Sequence, residues 1–166
     1  MIKEIGNFNA GLFKSEYEKI ESQIVWGFET DKGKQAALQY REGEDIWKGA
    51  VDRGKGKELE YDIINPIFKD TIFEELINKY NLKRTRFMWL NRWSCYSLHR
   101  DLTPRIHFPI YTNNQCFLIF KNATVENLKE GTIYYTDTRH LHTAMNGSEE
   151  KRLHLVGAVD ALNSGE

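Results

Sequence analysis

Apolar positions change their period about half-way along this chain. Between Ser15 and Val25 they fall at Tyr17, Ile20, Ile24 and Val25, the spacing of an amphipathic helix, with Ser15 placed to cap its N-terminus. Gln35 to Tyr40 reads as extended, and Arg41 to Glu58 as a polar, glycine-punctuated loop around Trp47 that could fold over a site as a lid. Its Gly54-Lys55 pair lacks both the spacing and the strand-loop-helix setting of a phosphate loop. Phe68 to Tyr80 predicts a second helix, with Ile72, Phe73, Leu76 and Ile77 on one face and Asp70 or Thr71 near its start.

From Lys83 onward the pattern becomes alternating or shortly apolar. Extended segments are expected over Thr85–Trp93, Arg105–Tyr111, Cys116–Phe120, Ala123–Leu128, Thr132–Thr136, Leu141–Met145 and Arg152–Val159. Turn signals separate them at Thr103-Pro104, Asn113-Asn114, Lys129-Glu130-Gly131 and Asn146-Gly147. Helices followed by a run of short strands predict an α+β chain, mainly β, whose second half is a β-sandwich or jelly roll.

Length and charge narrow the classes of partner. The 166 residues fit a single domain (1–166) able to bury its own core, with 1–82 supplying helices and first strands that flank the sheet and 83–160 the β core. A formal net charge of −1 lacks the basic excess of an obligate nucleic-acid binder, so small molecules, peptides or proteins are the expected partners. There is neither a long apolar run nor a signal-peptide core, which predicts no membrane association and a cytoplasmic protein. Cys95 and Cys116 are expected as buried free thiols on strands, since two cysteines make no disulfide framework.

Chemistry concentrates in the second half. His99 and Asp101, two residues apart, point the same way on an extended segment, and a distant histidine can close a site of two imidazoles and one carboxylate. That ligand set holds non-haem Fe(II) on one face and leaves other positions open. His142 is the favoured third ligand because strand continues from it through Met145, whereas the competing His140 sits in a loop. Arg152, on the next segment, offers a planar fork for a terminal carboxylate. Arg105 and His107 share one strand face opposite Ile106, Phe108 and Ile110, and an inward arginine requires an anion, either a ligand carboxylate or a buried Asp or Glu. Beside the metal motif the ligand is favoured. His154 shares a face with Arg152 but reads as a core-edge residue, and among Phe87, Trp89, Trp93 and Tyr96 core packing is the commoner role.

Three stretches carry a resemblance: Tyr96-Ser97-Leu98-His99-Arg100-Asp101, Thr103 to Ile110, and Gly131-Thr132-Ile133-Tyr134-Tyr135-Thr136-Asp137 with His142-Thr143 and Asn146 beyond. Together they resemble the aspartyl/asparaginyl β-hydroxylase family of Fe(II)/2-oxoglutarate-dependent oxygenases, over Arg84 to Val159 and upstream at Asn65-Pro66-Ile67-Phe68, in the manner of its small bacterial and phage-type members. The resemblance implies a double-stranded β-helix (cupin-like jelly roll) with N-terminal helices packed on it. It also implies His99, Asp101 and His142 as iron ligands, Arg152 on the distal carboxylate of 2-oxoglutarate, and Arg105 and His107 near its metal-bound end. The large animal enzyme lacks the carboxylate ligand, which is present here as Asp101. Ser94 and Ser97 are the nearest counterparts of the family's cosubstrate serine, and Tyr96, Asn146, Gln39 and Trp47 are further candidate contacts. The implied activity uses O2 to hydroxylate an aspartyl, asparaginyl or other amino-acid substrate, peptidyl or free, releasing succinate and CO2. Two alternatives remain: a cupin-like metal protein without 2-oxoglutarate chemistry, and a non-catalytic β-sandwich binding module.

Overall fold

The computed structural model describes residues 1–50 and 57–160. In chain order its elements are β1 (Ile2–Asn7), α1 (Ala10–Ile20), β2 (Phe28–Thr30), β3 (Gly33–Ala37), β4 (Gln39–Tyr40), β5 (Ile63–Ile64), α2 (Ile72–Lys79), β6 (Lys83–Leu90), β7 (Ser94–Cys95), β8 (Arg105–Tyr111), β9 (Cys116–Phe120), β10 (Val125–Glu126), β11 (Thr132–Thr136), β12 (His142–Asn146) and β13 (Arg152–Ala158). A seven-stranded antiparallel sheet runs β1-β11-β8-β13-β6-β3-β2, and a four-stranded one runs β10-β9-β12-β7. The fold is a mainly β jelly roll of the double-stranded β-helix kind, with both helices packed on the larger sheet.

Alternation along the strands divides the larger sheet into two unlike faces. Phe87, Phe108, Ile110, Leu153 and Leu155 join Phe13 and Tyr17 of α1 and Phe73 and Ile77 of α2 in the main core. The other face carries Arg84, Arg86, Arg105, His107, Arg152 and His154, all buried. A second apolar cluster, Leu90, Leu118, Phe120, Leu128, Tyr134 and Ala144, joins the two sheets and walls off the polar face. Gly33 makes β3 possible at its place beside β6, because a Cβ there would come within 2.0 Å of the Trp89 carbonyl oxygen.

Several elements differ from the sequence expectation for identifiable reasons. α1 begins a turn and more before Ser15, capped by Asn9, whose Oδ1 accepts from the Leu12 amide at 3.0 Å, so the buried stripe starts at Phe13. Phe68 belongs to a separate 3-10 turn, Pro66–Phe68, capped by Asn65. Asp70 at φ 59 breaks the chain direction before α2 begins, and Thr71 donates to the Phe68 carbonyl instead of capping. Likewise β6 ends at Leu90 because Trp93 turns at φ 52, and the strand expected over Ala123–Leu128 shortens to β10. Cys116 is buried as expected, but Cys95 is exposed: its short strand β7 is the edge of the smaller sheet. Of the segment expected as a lid, residues 51–56 lie outside the described residues, and Glu58 is buried against the larger sheet. No helix among the described residues is long and apolar enough to cross a membrane.

Candidate active site

One cavity of about 430 Å³ opens between the two sheets. At its mouth His99, Asp101 and His142 bring one potential ligand atom each within 4.8 Å of one another. The backbone builds this meeting: the His99 amide donates to the His142 carbonyl at 3.0 Å and the His142 amide to the His99 carbonyl at 2.9 Å, while the Asp101 amide donates to Thr138 at 2.9 Å. The tautomers follow from the acceptors. Nδ1 of His99 lies 2.7 Å from the Ser97 carbonyl and Nδ1 of His142 lies 2.9 Å from the His140 carbonyl. A carbonyl can only accept, so both Nδ1 atoms carry the proton and both Nε2 lone pairs are free for a metal, with each ring's orientation fixed behind it. Nε2 of His142 stands 3.7 Å from Asp101 Oδ2. His140, the competing histidine, turns outward and pairs with Asp137 at 3.6 Å.

Deeper in, Arg152, His154 and His107 form a buried basic cluster. Arg152 donates through a terminal nitrogen to His154 Nδ1 at 3.0 Å. Arginine has no acceptor, so His154 Nδ1 must be unprotonated and its proton sits on Nε2. That Nε2, the Nε of Arg152 and the Nε2 of His107 are all buried without a hydrogen-bond partner among the described residues. Burial first, then the neighbouring Arg152 charge, holds His107 and His154 well below the usual imidazole range, and burial lowers His142 as well. Arg152, buried with its Nε unpartnered and no carboxylate against it among the described residues, makes a receptor for a carboxylate beside two neutral imidazoles.

This cluster carries a pH dependence with a definite sign. His107 and His154 are neutral in the fold, with folded values below the 6.5 of the free side chain, so protons bind the unfolded chain preferentially. Stability is therefore full above about pH 6.5 and falls as pH drops below it, by roughly 1.4 kcal/mol per pH unit for each histidine. Urea denaturation of the metal-free protein between pH 7 and 5 measures this; equal midpoints across the range would contradict neutral buried histidines.

Arg105 finds the second of its two possible anions. Its guanidinium donates to Glu58 Oε1 at 2.7 Å and to the Thr103 hydroxyl, and stands 3.3 Å from Asp101 Oδ1. Arg84 donates to the same Glu58 oxygen at 2.8 Å, and Thr103 to the other at 2.8 Å. Burial works to raise the Glu58 carboxyl, but the charges of Arg105, Arg86 and Arg84 outweigh it and hold it at about 2. Arg86, buried beside them, donates to Gln35 Oε1 at 2.9 Å.

Other anticipated residues divide between cavity and scaffold. Tyr96 and Ser97 line the cavity, as do His99, Asp101, Arg105, His107, His142 and Arg152. Ser94 is outside its wall and donates to the Arg92 carbonyl. Gln39 is buried in the scaffold, donating to Leu82 and accepting from the Thr85 amide, and Asn146 ties the carbonyls of Leu90, Asn91 and Glu150 together. Trp47 packs edge-on against Phe68, Phe87 is core, Trp89 packs on that core and Trp93 is exposed. Glu58, Arg84 and Arg86 are additions to the expected set, and His154 is integral to the basic cluster instead of a core-edge residue. The even-numbered alternation Arg84, Arg86, Met88 along β6, read like that of Arg105 and His107, is the signal that could have found the arginines.

Against known proteins, the model of the family described as aspartyl/asparaginyl β-hydroxylase matches residues 14–161. The chain belongs to that family. Among solved structures, this hydroxylase is similar in fold to a 2OG-Fe(II) oxygenase family oxidoreductase from Burkholderia pseudomallei, at 11% identity and TM-score 0.60 over 95% of this chain and 82% of that one. It is also similar to the DMSP lyase from Ruegeria pomeroyi (10% identity, TM-score 0.56, 98% of this chain and 69% of that one). A prolyl-4-hydroxylase from Pseudomonas putida gives 12% identity and TM-score 0.50 over 95% and 90% of the two chains. The search of curated proteins finds no significant match.

Proposed function

We propose that this hydroxylase is an Fe(II)- and 2-oxoglutarate-dependent dioxygenase of an aspartyl, asparaginyl or other amino-acid substrate, peptidyl or free. The carrying observation is the pairing, in one cavity, of two imidazoles with free Nε2 atoms beside a carboxylate and a buried basic cluster with orphaned polar atoms. His99, Asp101 and His142 would hold the iron, a donor set that suits Fe(II) and leaves positions open on its other side. Arg152, with His154 bonded behind it, would take the distal carboxylate of 2-oxoglutarate, and His107 would lie along the cosubstrate. Iron and 2-oxoglutarate, when bound, supply the oxidative decarboxylation that consumes O2, releases succinate and CO2 and delivers one oxygen atom to a C–H bond.

The remaining work belongs to the chain. Ser97 and His140 carbonyls fix the imidazole rings, Arg105 restrains the free side of Asp101, and the apolar wall of Leu118 and Ala144 excludes water from the basic end. Arg152→Met should raise the 2-oxoglutarate dissociation constant by about a hundredfold while leaving Fe(II) binding within threefold, since a buried charge-assisted pair contributes roughly 1.5–3 kcal/mol. Unchanged 2-oxoglutarate affinity would remove Arg152 from this role.

The class is tested by titrating 2-oxoglutarate anaerobically into protein plus Fe(II) and recording the visible metal-to-ligand charge-transfer absorption of a chelated oxoacid. A band that appears here and is lost in His99→Ala supports the dioxygenase. Bound iron without the band would favour a cupin-type metal enzyme that does not use 2-oxoglutarate.

A further inference from the structure

Arg86, like Arg152, is a buried arginine with no carboxylate against it among the described residues, but it lies outside the Arg152 cluster. It sits in the middle of β6, opposite Val156 of β13 on one side and Ala37 of β3 on the other, so neither flanking strand offers it a charge. The residue is only 7% exposed, lines the cavity and makes no ion pair among the described residues. Of its nitrogens, one donates to the neutral Gln35 at 2.9 Å and Nε is buried with no partner. Glu58, the nearby buried carboxylate, is already hydrogen-bonded by Arg84, Arg105 and Thr103. Burial, then repulsion from Arg84 and Arg105, pushes the Arg86 guanidinium down to about 9 against the smaller attraction of Glu58 and Asp101.

A charge count gives the same result. Among the described residues the cavity wall carries four buried arginines, Arg84, Arg86, Arg105 and Arg152, against the two carboxylates of Glu58 and Asp101. A divalent metal and a dianionic cosubstrate cancel each other, so a fully loaded site would still hold two uncompensated positive charges. Buried charge without a counter-ion is costly, and the remaining occupant of the cavity is the substrate.

We infer that Arg86, held in place by Gln35, is a specificity-determining subsite for a carboxylate of the substrate, and that the enzyme therefore acts on an acid and not on its neutral amide. This rests on the reading of the cavity as a dioxygenase site and adds the substrate's charge to it. Position separates Arg86 from Arg152: Val156 lies between His107 and Arg86 in one cross-strand row, whereas Arg152 pairs with Leu90, further along β6. The carboxylate could be the main-chain group of a free amino acid or the side-chain group of an acidic residue.

The test is calorimetric binding to the Zn(II)-loaded protein, with and without 2-oxoglutarate, of each proteinogenic L-amino acid and of its α-amide. If the main-chain carboxylate is the ligand, a free amino acid binds at least about tenfold more tightly than its own amide. If the side-chain carboxylate is, aspartate or glutamate α-amide binds at least about tenfold more tightly than asparagine or glutamine α-amide. In either case Arg86→Gln abolishes the preference for the acid, Arg86→Lys keeps the charge and retains part of it, and both leave 2-oxoglutarate binding within threefold. The inference is overturned if no acid is preferred over its amide up to millimolar concentration, or if Arg86→Gln keeps the preference. It is also overturned if Arg86→Gln weakens 2-oxoglutarate as strongly as it weakens the acid, which would put Arg86 in the cosubstrate site. Failure of 2-oxoglutarate to bind the unsubstituted protein would instead refute the dioxygenase reading, and the acid preference measured without cosubstrate keeps the two outcomes distinct.

Discussion

Alanine at His142 should abolish turnover, with a loss of at least about a thousandfold in rate, and should remove stable Fe(II) binding at the same time. His142 is the most enclosed of the three metal-binding candidates, on a regular strand, with its Nδ1–H committed to the His140 carbonyl and only Nε2 free. No other histidine can replace it. His140 is two residues away but faces outward toward Asp137, and His107 and His154 belong to the cluster around Arg152. The measurement is iron content after anaerobic loading, paired with succinate formation. An alanine variant that retained iron and produced succinate at an unchanged rate would mean that the metal sits elsewhere. Far-ultraviolet circular dichroism should stay unchanged, because the β12 ladder to β9 and the bridge to His99 use the backbone and not the imidazole.

The legible part of this site and the illegible part differ in the kind of information they need. His99 and Asp101 could be joined from sequence because a two-residue spacing on extended chain is a local fact, and Arg105 and His107 could be put on one face for the same reason. The bounds of β8, β9 and β11 were readable because their alternation is bounded by clear turn signals. Glu58 was not readable. It follows a run of Gly, Lys and Arg that looks like solvated loop, and its burial is compensated by Arg84 and Arg105, residues 26 and 47 positions away. Gln39 and Asn146 failed as site candidates for a related reason: a polar residue on a strand near a motif can equally be recruited to satisfy stranded backbone groups, and that depends on which carbonyls the fold leaves open. α1 shows the corresponding error in one dimension, since Ser15 is a good cap by residue type but Asn9 is the residue at which the backbone leaves the extended region, at φ −80 and ψ 94.

Glu58→Ala should be the most destabilising single substitution in the cavity, costing about 3–5 kcal/mol, because it leaves the guanidinium groups of Arg84 and Arg105 buried and unpaired. Linkage leads to a figure of the same size. A carboxyl held at about 2 in the fold and 4.5 in the free side chain stabilises the fold by on the order of 3 kcal/mol while ionised. Because the folded value is the lower one, this contribution is complete above about pH 4.5 and is lost as pH falls toward 2. Urea midpoints should therefore fall steeply for the unsubstituted protein across that acid window and much less for Glu58→Ala, whose stability is already reduced at neutral pH. Removing the arginines separates the two parts of the cost. Arg84→Met in the Glu58→Ala background should recover part of the loss, since one orphaned cation disappears with it, whereas the same change alone should destabilise by stripping a partner from Glu58. The consequence reaches the metal as well. Arg105 stands 2.7 Å from Glu58 and 3.3 Å from Asp101, so without Glu58 its guanidinium is left to Asp101 alone and competes with a metal for that carboxylate. Glu58→Ala should then weaken Fe(II) binding by about 10–100-fold beyond any effect on folding. Iron affinity measured well below the unfolding midpoint checks this, and an unchanged value would confine Glu58 to holding the fold.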